Sequence, residues 1–242
     1  MSAVAPILET RALERRFGGV RAVAAVDFKL MPGELRCLIG PNGAGKSTFF
    51  KMLTGQLRPT SGEIMLEGHD IVGAEPHEIG QRGVGIKNQV PLVMNGLTVR
   101  ENLWLAARAR RRGAEVDAAV DAVAERLGLV AILGRITGEL AHGQRQWVEI
   151  AMVIVCEPKI ILLDEPAAGM SDEETVRTAA LIRELNKQAT IVVVEHDMQF
   201  IRQIAHTVTV FHQGRILVED SFDKVIADPV VRDVYLGRQG GR

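Results

Sequence analysis

Apolar positions along the chain follow three successive rhythms. Near the start they form short runs, Ile7–Thr10, Val23–Leu30, Leu35–Ile39 and Ile64–Glu67, the last between the turn-forming Gly62 and Gly68. Runs of this kind predict strands, here in an antiparallel edge sheet. From Leu97 to about Glu157 the spacing becomes helical. Thr98-Val-Arg-Glu101 is a capping box predicted to open a helix over Leu103–Arg112, and the Ala-rich stretch Val116–Leu127 stops at Gly128. A further helix carries Trp147, Ile150, Ala151 and Ile154 on one face and is ended by Pro158. Beyond Pro158, Lys159–Leu163 and Thr190–Glu195 lose all alternation, the pattern of strands buried on both faces of a parallel sheet. Val208–His212, a Gln213-Gly214 turn and Arg215–Glu219 predict a hairpin, with a short helical tail near Lys224–Leu236. The expected architecture is one α/β domain spanning 1–242, with an N-terminal antiparallel β subdomain and a helical subdomain, about 90–157, inserted in the α/β core.

Length and charge narrow the picture. A chain of 242 residues buries roughly 70% of its unfolded surface without disulfide staples. Cys37 and Cys156 lie in apolar runs, far apart, and read as buried free thiols in a reducing compartment. A net charge of −1 with mixed signs gives no footprint for nucleic acid. Arg108, Arg110, Arg111 and Arg112 read as a solvated helix end. Pro6 and the charges among the first sixteen residues leave no signal-peptide pattern, so a cytosolic protein is expected. The longest apolar segment, Ile150–Cys156, is far short of the ~20 residues that span a bilayer, so any membrane association goes through a partner.

Chemistry-bearing residues gather at the ends of predicted strands. Leu35–Ile39 runs into Gly40-Pro41-Asn42-Gly43-Ala44-Gly45-Lys46-Ser47-Thr48, a phosphate-binding loop between a strand and a helix. Its glycines let backbone N–H groups wrap phosphates, Lys46 reaches the β- and γ-phosphates, and Ser47 offers a hydroxyl to Mg²⁺. Lys159–Leu163 delivers Asp164 and Glu165 where open α/β sheets place ligands. Asp164 suits the Mg²⁺ shell and Glu165 suits an attacking water; alone, such a pair also reads as a helix N-terminus. His196 follows the apolar strand Val192–Val194 and is able to donate to a γ-phosphate, though a lone histidine there is also an ordinary loop residue. Leu140-Ala141-His142-Gly143-Gln144 precedes an amphipathic helix, either as a plain cap or as an anion site whose anion comes from another subunit.

These motifs together resemble the ABC ATPases over nearly the whole chain. Gly40–Ser47, Gln89, Leu140–Gln144, Ile160–Glu165 and His196 stand in that family's order and spacing. The resemblance implies a P-loop NTPase core that binds ATP and Mg²⁺. It implies catalytic roles for Glu165, His196, Gln89 and Lys46, and metal contacts from Ser47, Gln89 and Asp164. Phe17 would stack on adenine, with core packing as its alternative, and Gln89 would link Mg²⁺ to a membrane partner, with a solvated loop as its alternative. Ala141, His142, Gly143 and Gln144 would close over ATP held by a second ABC ATPase subunit, in a homo- or heterodimer. Further partners would be integral membrane permease subunits and, indirectly, an external solute-binding protein. The location implied is peripheral, on the cytoplasmic face of the inner (plasma) membrane.

Phe17-Gly-Gly-Val20, Asp164–Met170 and the ending near Tyr235-Leu-Gly237 resemble the branched-chain amino-acid importer group. His142, Gln146-Trp147 and Ala168-Gly-Met-Ser-Asp172 resemble its urea-transport ATPases most. Two positions depart from the family: Ala141 where serine is usual, and Ser171 where many relatives carry aspartate. A soluble non-transport ABC protein would bring long coiled coils or a second phosphate loop, and the sequence has neither. A small-molecule kinase would share Gly40–Ser47 but has no reason for Leu140–Gln144.

Overall fold

A computed structural model of the chain describes residues 4–88 and 92–236. In chain order it begins with β1 (Leu8–Phe17), β2 (Val20–Leu30), β3 (Leu35–Ile39), α1 (Lys46–Leu53), β4 (Ser61–Leu66) and the short β5 (His69–Asp70). It continues through α2 (Pro76–Gln81), β6 (Val84–Lys87), α3 (Val99–Ala107), α4 (Ala114–Leu127), α5 (His142–Ile154) and β7 (Ile160–Asp164). The last part is α6 (Asp172–Asn186), β8 (Thr190–Val194), α7 (Met198–Ile204), β9 (Thr207–His212), β10 (Arg215–Asp220), α8 (Phe222–Ala227) and α9 (Pro229–Leu236). One antiparallel sheet has the order β2-β1-β4-β5, and a six-stranded sheet has the order β10-β9-β3-β8-β7-β6. In the larger sheet β9, β3, β8, β7 and β6 run parallel and β10 is an antiparallel edge.

Strand alternation divides the core in two across the central sheet. On one face Cys37, Ile39, Ile161, Leu163, Ile191, Val193, Val208 and Val210 pack against α3–α7. On the other, Leu38, Leu162, Val192, Val194 and Phe211 meet α1 and the antiparallel sheet. Phe49 of α1 anchors this second core, 5.5 Å from Phe28 of β2 and 5.1 Å from Phe211 of β9. Such buried aromatic contacts fix how α1, and so the loop before it, sits on the sheet.

Several expectations shift. Leu35–Ile39, expected in the antiparallel edge sheet, is instead β3 of the central sheet, pairing in parallel with β8 and β9, and its five residues are all buried. The capping box at Thr98 is present, with Thr98 Oγ1 accepting from Glu101 N, but α3 stops at Ala107 instead of Arg112. Arg108, Arg110 and Arg112 are exposed just past α3, as expected of a solvated helix end, but Arg110 and the half-buried Arg111 also donate to the carbonyls of Gly80 and Val155, linking the end of α3 to α2 and α5. Helix α5 buries Trp147, Ile150, Ala151 and Ile154 as expected, and also Gln146, Val148, Glu149 and Val153, so it is enclosed on more than one face. The tail splits into α8 and α9 at Asp228-Pro229, because the residue before proline is disfavoured in helical conformation. Cys37 is buried, with burial pushing its thiol far up; Cys156 is half-buried and donates to Ala106 O at 3.4 Å. No helix among the described residues is long and apolar enough to cross a membrane.

Candidate functional site

Three neighbouring strands, β3, β8 and β7, end at one edge of the central sheet. After β3 the chain enters Gly40–Thr48, shaped by glycine. At Gly40 (φ 146°) a Cβ would come within 2.2 Å of Phe211 O, and at Gly45 (φ 106°) within 2.4 Å of Ala22 O. Neither position accepts a side chain. Gly45 also leaves the first turn of α1 without a side-chain cap, so the leading N–H groups remain available to an anion. Lys46 Nζ donates to the carbonyls of Gly40 (2.5 Å) and Pro41 (3.1 Å). Burial holds its ammonium below the usual lysine range, and the charges of Glu165 and Asp164 pull it partly back.

The end of β7 places Asp164 in a buried position and Glu165 just outside it. Burial, then the Glu165 charge, pushes the Asp164 carboxyl up to about 6, against the pull of Lys87 and Lys51. Glu165 takes a left-handed backbone, φ 47°, with its N–H donating to Val194 O at 2.9 Å. After β8, His196 is 68% exposed and its Nδ1 lies 3.4 Å from Glu165 Oε1. Phosphate loop, carboxylate pair and histidine are therefore collected at a single edge.

Sequence reasoning missed Glu195. Its carboxylate is only 2% exposed, accepts from His196 N at 2.9 Å and from Ala167 N at 3.3 Å, and so ties the end of β8 to the turn after Glu165. The signal was a carboxylate closing an otherwise apolar strand. Asp197 caps α7 through Gln199 N and Phe200 N. A second missed contact is the buried pair Lys87–Glu149, 3.4 Å apart, joining β6 to α5. Glu149 Oε1 also accepts from Leu92 N at 3.1 Å.

Other expected site residues stand apart from this edge group. Phe17 closes β1 at 46% exposure beneath the Arg15 guanidinium, 4.6 Å from the ring centroid, so it is not core packing. Ala141 is the N-cap of α5, its N–H donating to Gln144 Oε1 at 3.3 Å, and its methyl offers no acceptor to the helix. Ala141 and His142 are exposed while Gly143 is buried. Gln89 lies outside the described residues.

The donor set fits Mg²⁺ shared with a nucleotide. No group of three or more His, Cys, Asp or Glu among the described residues forms a metal cage. Magnesium commonly takes one or two protein ligands and completes its shell with phosphates and water. Asp164, a buried carboxylate that holds its charge at a cost, and the exposed Ser47 hydroxyl are suited to that role.

Known proteins resemble this chain in sequence and in fold. The sequence profile of the ABC transporter family matches residues 23–168. The high-affinity branched-chain amino acid transport ATP-binding protein BraF of Pseudomonas aeruginosa is 35% identical, over 96% of this chain and 98% of that protein. LivG of Escherichia coli K12, named for the same transport, is 36% identical with the same coverage. The solved ADP conformation of the ATP-binding cassette MJ1267 superposes with a TM-score of 0.88 at 29% identity, covering 96% of this chain and 99% of that one. A nucleotide-free cassette from an ABC transporter also gives 0.88, at 28% identity and 96% and 100% coverage. With a glycine-shaped phosphate loop, a strand-end carboxylate pair and a likeness that runs end to end, the chain belongs to the ABC transporter family.

Proposed function

We propose that the chain is the ATP-binding and ATP-hydrolysing subunit of an importer of the branched-chain amino-acid group. The observation that carries this reading is the convergence of Lys46, Asp164, Glu165 and His196 on adjacent strand ends. Gly40–Thr48 and the start of α1 hold the phosphates of ATP, and Phe17, exposed at the end of β1, stacks on the base. Ser47, Asp164 and Gln89 hold Mg²⁺, which neutralises charge developing on the phosphates. Lys46 leaves its two loop carbonyls for the β- and γ-phosphates. Glu165 orients a water and takes its proton, while His196, within reach of Glu165, donates to the γ-phosphate.

The chain acts as one nucleotide-binding domain, 1–242, with its helical part at about 90–157. Ala141–Gln144 of this chain close over ATP held by a second ABC ATPase subunit, and permease subunits hold the pair at the cytoplasmic face of the inner membrane. An external solute-binding protein acts through the permease. The solute follows from the relatives, whose names favour branched-chain amino acids. The expectation of urea, which rests on His142, Gln146-Trp147 and 168–172, finds no support among them.

The test is co-purification of the chain with its membrane subunits, followed by MgATP hydrolysis with a binding protein loaded in turn with leucine or urea. Stimulation by leucine supports the reading. Stimulation by urea alone restores the other solute, and transfer of phosphate to an acceptor other than water overturns the ATPase.

A further inference from the structure

The signature histidine is committed to its own chain. His142 Nε2 lies 3.1 Å from the carbonyl oxygen of Ala168, three residues after Glu165. Gly169, at φ +70°, packs so closely on the ring that a Cβ there would sit 3.0 Å from both Cδ2 and Nε2 of His142. Next along, Gly143 meets the carboxylate of Glu174, which a Cβ would approach to 2.2 Å. The N-terminus of α5 and the segment Ala168–Glu174 are thus interlocked at two successive residues. On the far side, Ala167 N donates to Glu195, so the turn carrying Glu165 is gripped at Ala167 from β8 and at Ala168 from α5.

Hydrogen-bond chemistry fixes the form of the ring. Nε2 must carry a proton to meet the Ala168 carbonyl, because two acceptors do not bond. Gln146 Nε2 stands 3.2 Å from the same nitrogen, while Gln146 Oε1 is buried without a partner. Exchanging the amide O and N of Gln146 turns that donor–donor contact into a second acceptor for the Nε2–H.

We propose that His142 is a positioning residue for hydrolysis: its Nε2–H holds the Ala168 carbonyl and thereby sets the turn that aims Glu165 at the attacking water. This rests on the ATPase reading above. A misaimed base leaves nucleotide binding intact and slows the chemical step, since displacement of a reacting group by about 1 Å costs up to about a hundredfold in rate.

The experiment is a double-mutant cycle in the full chain with His142→Ala, Gly169→Ala and both, reading kcat for MgATP against affinity for a non-hydrolysable analogue. Each single change is expected to lower kcat about tenfold, and Gly169→Ala, at a residue with no nucleotide role, should keep affinity within about twofold. The pair should cost less than the product of the two, because without the imidazole the methyl on residue 169 meets no ring and only the backbone strain of a side chain at φ +70° remains from that substitution. His142→Gln, which keeps a donor, should recover part of kcat. Additive losses, or a loss confined to affinity, overturn the proposal and leave His142 as a nucleotide contact only. Nitrogen-15 spectra of the unmodified chain give a check independent of folding of the variants: His142 should be the Nε2–H form, and an Nδ1–H form overturns the latch. Wild-type turnover, abolished in Glu165→Gln, must be seen first; its absence would fail the ATPase reading, whereas turnover with an additive cycle fails the latch alone.

Discussion

Glu165 holds a left-handed backbone that side chains normally avoid, at a cost of about 1–3 kcal/mol. The surrounding bonds sustain it: its own N–H reaches Val194 O, and Ala168 N donates back to Glu165 O at 3.3 Å. Strain retained at the proposed base is consistent with positioning. Glu165→Gln keeps the shape and removes the basicity, so ATP binding should persist while turnover falls by at least about a hundredfold, measured by phosphate release. Lys46→Ala removes the half-buried ammonium and should weaken ATP binding by about 1.5–3 kcal/mol in calorimetry, with turnover lost as well. Asp164 behaves in the opposite sense toward stability. Its carboxyl is raised to about 6 from 3.8, so the folded state disfavours the charge; that cost is absent below pH 3.8 and complete above about 6. Asp164→Asn should therefore raise the melting temperature of the nucleotide-free chain at pH 7.5, by an amount equivalent to about 1–2 kcal/mol, while abolishing Mg²⁺-dependent hydrolysis. A lowered melting temperature would show that the carboxylate stabilises the fold.

At the scale of elements, the buried Lys87–Glu149 pair joins the sheet to α5. Burial pushes the Lys87 ammonium down and Glu149 pulls it back up, so the charge depends on its partner. Removing one member of a buried pair typically costs about 3–5 kcal/mol. Glu149→Ala should lower the melting temperature by roughly 10 °C, at about 2–4 °C per kcal/mol for a chain of this size. Glu149→Ala with Lys87→Met should recover much of it, because no uncompensated charge stays buried. This pair was illegible in the sequence, where a lysine and a glutamate 62 positions apart look like ordinary surface charges. By contrast, β7 and β8 were legible as central strands because burial on both faces removes alternation, whereas β3 was grouped with the edge-sheet strands; Thr98 was legible because capping is local. The length of α3 was not: Arg110 and Arg111 leave the helix to bind carbonyls of other elements, a tertiary contact that propensity does not encode. Asp164, Glu165 and His196 could be located from strand ends alone, yet their common edge depends on the order β3-β8-β7, which no local signal records.

For the whole molecule, the decisive position is Ala141, exposed at the N-terminus of α5. The family resemblance assigns this place to a serine that donates to the γ-phosphate held by the opposite subunit, and a methyl group donates nothing. Backbone N–H groups near Gly143 and the dipole of α5 remain as anion-directed groups. Ala141→Ser should therefore add one charge-assisted hydrogen bond across the dimer, worth about 1–3 kcal/mol, and raise turnover of the assembled transporter at saturating MgATP. Serine is also a better N-cap than alanine, so α5 itself gains about 1 kcal/mol whether or not a nucleotide is present. Melting of the isolated chain without ATP reads that local gain, and turnover of the assembly reads the trans contact. A higher melting temperature with unchanged turnover would mean that the backbone donors already suffice at this site. In a heterodimer the rise should appear only at the composite site that borrows this chain's signature; pairing Ala141→Ser with Glu165→Gln in this chain silences the other composite site, and the rise should survive.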